Sequence, residues 1–202
     1  MRTKFTRIIL LLVVLCFCFT SISYAFDVKE RAQAMNGKLI EWRRHLHANP
    51  ELLFDLPQTE AFIVQKLKEI GVEKIQQGVA KHGVVAIIEG KKPGKVLAIR
   101  ADMDALKIVE DTGLPFASTN GLMHACGHDV HMSGLLGAAE LLMHYRDDLQ
   151  GTVKLIFQPS EEGGVDGIGG AQAMIEEGVL LNPTADAIIG LHSETFGSAP
   201  QH

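Results

Sequence analysis

The sequence has little cysteine, no excess of positive charge and no apolar stretch of membrane-spanning length. Each lack narrows what the chain does. The longest apolar run, residues 8–19, falls short of the ~20 residues that cross a bilayer. It follows Arg2, Lys4 and Arg7 and gives way to small and polar residues ending in Ser23-Tyr24-Ala25. A basic start, a short apolar core and small residues before a cut predict a secretory signal peptide over 1–25, cleaved after Ala25. The chain is therefore expected to be exported, periplasmic or secreted, with no stable membrane association after cleavage. Two of the three cysteines, Cys16 and Cys18, leave with that segment, so 26–202 keeps Cys126 alone and forms no intramolecular disulfide. A leftover cysteine in an exported protein points to an intermolecular bridge, a reactive thiol or a metal ligand. Without the three basic residues of the signal, 19 Lys+Arg become 16 against 24 Asp+Glu, and the formal charge moves from −5 to −8. That balance argues against the basic face that binding phosphates calls for, hence against a nucleic-acid partner. No internal repeat, low-complexity tract or linker divides 26–202, which is long enough for one domain with a real core.

The mature segment opens on a helical stripe of Met35, Leu39, Trp42 and Leu46, stopped at Asn49-Pro50 because a residue before proline is pushed from helical angles. A second helix is predicted over 60–70, with Thr59 as its cap and Gly71 as its end. Next, GVVAIIEG and KVLAIRADMD flank KKPG and read as a β-hairpin. A buried helix over 134–145, beginning near His128, precedes the apolar strand GTVKLIFQ. A helix over 170–177 and the strand ADAIIGLH follow. Helices alternating with short apolar strands predict an α/β fold whose sheet is covered on both faces. Polar groups then fall at the carboxyl ends of three strands: Asp102 and Asp104, then Gln158, Glu161 and Glu162, then His192. In open α/β sheets that edge is where ligands bind.

The segment HACGHDVH carries Cys126 and His128 either side of Gly127, whose turn lets both side chains face one point. Thiolate, imidazole and carboxylate together suit Zn²⁺, and Mn²⁺ as oxygen ligands accumulate. The plain alternative is a structural cysteine beside surface histidines. Glu161-Glu162 reads either as a solvated turn or as a division of labour. In the second reading one carboxylate ligates a cation and its neighbour takes a proton from water, as metal-assisted hydrolysis needs. Asp102 and Asp104 are either turn residues or orienters of a histidine ligand, a role favoured for Asp104. Arg100 is either a counter-charge to local carboxylates or a plain strand residue. Arg44, His45 and His47 read as a solvated helix face, and His82 and His144 as surface histidines.

Five segments carry a resemblance: WRRHLHANPEL, RADMDAL, HACGHDVH, FQPSEEGGVDGIGGAQAMIEEGVL and IIGLH. In this order they resemble the metal-dependent amidohydrolases and exopeptidases that include hippurate hydrolase, N-acyl-amino-acid amidohydrolases and auxin-conjugate hydrolases. The resemblance implies a mixed sheet covered by helices, the first part of a zinc-exopeptidase-like catalytic domain. It implies metal ligation by Cys126, His128, Glu162 and His192, with Glu161 as general base and acid and Asp104 supporting the site. Two divalent cations are implied, Mn or Zn foremost, with Ni or Co also known in the family. The implied substrate is a small N-acyl amino acid. Family members run to about twice this length, through an inserted lid and dimerisation domain after the GLH histidine and one more histidine ligand. After GLH this sequence has only SETFGSAPQH, so 26–202 is expected to be an incomplete catalytic domain, inactive by itself. Homodimer contacts would depend on the inserted domain, and His202 lies too near His192 to replace the missing ligand. Two other readings stand beside this one: a catalytically dead metal-binding remnant, and a cysteine hydrolase using Cys126 as nucleophile.

Overall fold

The computed structural model describes residues 27–193, so the expected signal segment and the last residues after Ser193 lie outside it. Among the described residues no helix is long and apolar enough to cross a membrane. The chain divides into two units between Gly37 and Lys38. Residues 27–34 are helical, and helix α1 (Asn36–Ala48) begins just before the division. Trp42 and Leu46, four apart, form its buried stripe. The helix ends where Asn49 precedes Pro50, and the Asn49 side chain donates to the His45 carbonyl at 2.8 Å.

Helix α2 (Pro57–Ile70) starts three residues earlier than the sequence predicts, and Thr59 lies inside it rather than capping it. Proline fits the first helical position because its missing N–H is one of the unpaired donors there. The acceptor comes from outside the helix: the Glu51 carboxylate takes the N–H groups of Gln58 and Thr59 at 3.2 and 2.8 Å. Gly71 closes α2 at φ 94°, the left-handed conformation that glycine adopts without strain.

Five strands follow: β1 (Lys74–Val79), β2 (Gly83–Glu89), β3 (Lys92–Asp102), β4 (Gln150–Gln158) and, at the far end, β7 (Ala187–Gly190). Their order in the sheet is β1-β2-β4-β3-β7. The predicted hairpin between β2 and β3 is therefore wrong. Strand β4 lies between them, antiparallel to β2 and parallel to β3. The Lys-Pro-Gly signal reported only that the chain turns. Which strand fills the space beside it depends on where the apolar run of β4 finds partners on both sides. The true hairpin partner of β2 is β1, a polar edge strand. A small ladder of β5 (Gly164–Val165) and β6 (Ile168–Gly169) stands apart.

Helix α3 (His128–His144) returns the chain from β3 to β4, and α4 (Gly170–Glu176) returns it toward β7. Successive side chains of a strand alternate between faces, so β2 and β4 feed two cores. Val84, Ala86, Leu155 and Phe157 pack with Trp42, Leu46, Ile63, Leu67, Met132 and Leu136 of the helices. Val85 and Ile156 face the other way, onto Met174 and Val179. Lys154 shares that second face and is only 1% exposed. Its Nζ donates to the carbonyls of Val179, Leu181 and Pro183 at 2.8, 2.6 and 2.9 Å. At β7 the cover expected on both faces is lacking among the described residues, and Ile188 and Ile189 are each 52% exposed.

Candidate metal centre

Parallel pairing of β3 and β4 puts Asp102 opposite Gln158, so both strands deliver their polar ends to one edge. β7 runs parallel to β3 and carries His192 to the same edge. After β4 the chain turns sharply through Ser160 at φ 50°. The turn is held by the Ser160 N–H on the Leu53 carbonyl (3.1 Å) and the Ser160 hydroxyl on the Gly163 carbonyl (2.7 Å). Glu161 and Glu162 leave this turn with their backbone N–H groups donated to the two Asp104 carboxylate oxygens, at 2.9 and 3.1 Å. Asp104 thus sets where both glutamates stand.

His128 opens α3 immediately after Gly127, which caps the helix at φ 85°. Its Nδ1 lies 2.7 Å from the Asp104 carbonyl oxygen. A carbonyl only accepts, so Nδ1 carries the hydrogen and the Nε2 lone pair faces the strand ends. There it stands 3.6 Å from Glu161 Oε2, 3.7 Å from Glu162 Oε1 and 3.6 Å from Asp102 Oδ2. Cys126 Sγ lies 3.4 Å from His192 Nε2. Among the described residues, His128 Nε2 and Glu162 Oε1 are buried without a hydrogen-bond partner. An orphaned buried polar atom costs about 1–3 kcal/mol, so two that face each other call for a shared occupant.

The spacing fits a cation. Two ligands of one tetrahedral ion at ordinary Zn–N, Zn–O or Zn–S lengths stand about 3.3–3.8 Å apart. The ligand atoms of Cys126, His128 and His192 lie within 4.8 Å of one another, as do those of His128, Glu161 and Glu162. His128 is common to both trios. Electrostatics point the same way. Burial, a hydrogen bond with Glu162 and the charges of Glu161 and Asp102 push the Cys126 thiol up to about 12. Burial works against a charged His128, but Asp102 and Asp104 outweigh it and raise its pKa. Both shifts report negative charge concentrated around the thiol and the imidazole, the field that attracts a divalent cation.

All six residues singled out in the sequence, Asp104, Cys126, His128, Glu161, Glu162 and His192, meet at this edge. Asp104 meets His128 through its main-chain oxygen, while its carboxylate takes the N–H groups of the two glutamates. A close carboxylate–imidazole pair is made by Asp102, whose Oδ1 lies 2.6 Å from His131 Nδ1. Arg100 is a counter-charge: it donates to Asp102 Oδ2 at 2.6 Å and to Gln158 at 2.9 Å. Burial raises the Asp102 pKa, but His131, His128 and Arg100 together hold it below the usual carboxylate value. The sequence did carry a trace of His131, three residues after His128 on the same helix face.

His47 departs from the sequence reading. It is 2% exposed rather than solvated, with Nδ1 2.7 Å from Asp129 and Nε2 3.1 Å from Glu110. Arg43, one turn earlier, donates to the same Asp129 oxygen at 2.7 Å. Positions 43 and 47 share a helix face that meets the start of α3, whose first turn favours a carboxylate. Arg44 and His45 are exposed, as read from the sequence. Burial raises the pKa of Glu110, but hydrogen bonds from Thr112, the Ser118 N–H and His47 outweigh it and hold the carboxyl below its usual range. A depressed carboxylate stabilises the fold above its unfolded-chain pKa and loses that contribution as pH falls through the folded value. Glu110→Gln is expected to cost about 1–2 kcal/mol at pH 7, with the gap to the parent closing as urea midpoints are taken from pH 5 to pH 3. A gap that stays constant with pH would refute this role for the charge.

A mixed α/β sheet with thiol, imidazole and carboxylate donors converging at its carboxyl edge makes a candidate metal centre. Residues 98–202 match the model of peptidase family M20/M25/M40, and the chain belongs to that family. The N-acetyl-L-cysteine deacetylase of Bacillus subtilis (strain 168) is 50% identical over 173 residues, covering 83% of this chain and 40% of the relative. The hippurate hydrolase of Campylobacter jejuni is 42% identical, covering 81% of this chain and 41% of the relative. Among solved structures, the Bacillus subtilis YXEP protein, described as a dinuclear metal binding peptidase from M20 family, superposes with a TM-score of 0.72 at 45% identity. That match covers 80% of this chain and 44% of the other. The chain thus spans about two fifths of the length of the relatives it matches.

Proposed function

We propose that the chain carries the metal-binding part of an exported amidohydrolase that cleaves the amide of small N-acyl amino acids, hippurate-like or N-acetylated. The observation that carries the reading is the pair of buried, unpartnered atoms, His128 Nε2 and Glu162 Oε1, facing each other beside Cys126 and His192. Cys126, His128, Glu162 and His192 would hold two divalent cations, Mn²⁺ or Zn²⁺ by their mixed donor set. When bound, such cations polarise an amide carbonyl and make water acidic enough to give up a proton near neutral pH. Glu161 is the carboxylate free for that proton. Its side chain is 37% exposed against 17% for Glu162, so it opens toward the cleft while its neighbour turns inward. The same carboxyl then returns the proton to the leaving amine. Asp104, holding the N–H groups of both glutamates, keeps base and ligand in fixed relation. The relatives named for N-acetylcysteine and hippurate support the substrate class.

A cysteine nucleophile fits poorly, because a thiol pushed up to about 12 supplies almost no thiolate at neutral pH. The two chemistries part under chelation. In a longer protein that carries this segment within a complete catalytic domain, hydrolysis of N-acetylcysteine or hippurate is expected to stop after dialysis against a chelator and to return with Mn²⁺ or Zn²⁺. Alkylation of Cys126 in the metal-loaded protein is expected to be slow. Turnover that survives chelation and is lost on alkylation would overturn the proposal, and tight cation binding with no turnover would mark a metal-binding remnant. Export has its own readout: Phe26 as the first residue of protein recovered outside the cytoplasm.

A further inference from the structure

His131 takes no part in the chemistry above, yet it is buried beside it. Its Nδ1 lies 2.6 Å from Asp102 Oδ1, and its Nε2 accepts the Ser193 backbone N–H at 2.8 Å, with Ser193 Oγ 3.0 Å away. Accepting at Nε2 requires the hydrogen on Nδ1, which Asp102 takes. Both ring nitrogens are therefore engaged. Asp102 is engaged too, through His131 on one oxygen and Arg100 on the other. The ligand atoms of Asp102, His128 and His131 lie within 4.8 Å of one another, but with both ring nitrogens engaged His131 has no lone pair to spare for an ion.

What His131 holds is the residue next to His192. Ser193 also rests its hydroxyl 3.5 Å from the Cys126 carbonyl and sits so close to Gly127 that any side chain there would strike it. The His131 ring lies against the His192 ring, centroids 5.1 Å apart. Among the described residues β7 is an edge strand with exposed faces, so their packing does little to fix the segment beyond Gly190. We propose that His131, held by Asp102, is a positioning residue that latches the backbone after β7 and so fixes His192 as a donor beside Cys126. This rests on the metal-site reading above.

The test uses cobalt(II) titration of the full chain, followed by thiolate-to-cobalt charge-transfer and ligand-field absorption. His131→Leu, which keeps bulk without an acceptor, is expected to weaken cobalt binding about 10–100-fold. Its spectrum is expected to match that of His192→Ala, with the thiolate band of Cys126 retained. His131→Leu combined with His192→Ala is expected to bind no more weakly than His192→Ala alone, because both remove one donor. His131→Gln, whose oxygen still reaches the Ser193 N–H, is expected to stay within about threefold of the parent. The Gln variant reads out independently of whether the Leu variant folds. Parent-like affinity and spectrum for His131→Leu, losses that multiply in the double variant, or a Gln variant tenfold weaker than the parent would each overturn the latch. A parent chain that takes up no cobalt would instead overturn the metal site itself, and the latch with it.

Discussion

In a longer protein that carries this segment within a complete catalytic domain, Glu161→Gln is expected to lower hydrolysis of an N-acyl amino acid about 10³-fold while leaving cobalt affinity within about threefold. Glu162→Gln is expected to do something different, weakening cobalt binding by 100-fold or more. Two adjacent glutamates are chemically alike, and the backbone separates their tasks. Both N–H groups are tied to one Asp104 carboxylate, so the two side chains leave the turn at fixed and different angles. Glu162 Oε1 ends up buried without a partner, while Glu161 opens to solvent. A glutamine at 161 keeps the volume and one acceptor oxygen but cannot take a proton, so the loss falls on turnover and spares binding. Isothermal titration with cobalt beside a hydrolysis assay separates the two. Equal losses of affinity for both variants would remove the distinction between ligand and base.

Lys154→Met is expected to destabilise the fold by about 2–3 kcal/mol, read as a lower urea midpoint with spectroscopically native protein before the transition. A lysine in the middle of a central strand looks misplaced, and burial does lower its pKa. Methionine removes that burden and adds apolar contact, so desolvation alone would make the substitution stabilising. Three carbonyls decide otherwise. Those of Val179, Leu181 and Pro183 all point at one ammonium. Each buried acceptor left unpaired costs about 1–3 kcal/mol, and only the partly open ones at Leu181 and Pro183 recover water. The loss of acceptor partners outweighs the relief. An unchanged midpoint would mean that water satisfies all three carbonyls and that Lys154 is incidental.

Local signals were legible where the physics is local. Asn49-Pro50 ends α1, Gly71 ends α2, and the apolar runs of β3, β4 and β7 are strands. Strand ends followed by acids and histidines marked the edge where the site lies. What the sequence could not convey was partnership. The β2–β3 hairpin failed because a turn signal carries no information about which strand fills the gap. His47 failed for the same reason: on a helical wheel it is one polar residue among several, and its burial depends on the distant Asp129 and Glu110. Thr59 failed because the acceptor for the start of α2 comes from Glu51, eight residues upstream.

By itself the sequence determined the donor inventory: one cysteine beyond residue 25, flanked by histidines, and acids placed at the ends of apolar strands. Residue type and short-range spacing suffice for that, since they set which atoms can donate a lone pair. Only the tertiary structure decided how the donors divide. Parallel pairing of β3, β4 and β7 brings three chain ends together, and hydrogen bonds across long separations then commit Asp104 to the glutamate turn and Asp102 to His131. Once those bonds are made, His128 Nε2 and Glu162 Oε1 are among the buried atoms left without a partner among the described residues. Which atoms remain open is a property of the assembled network, and no stretch of the chain holds it alone.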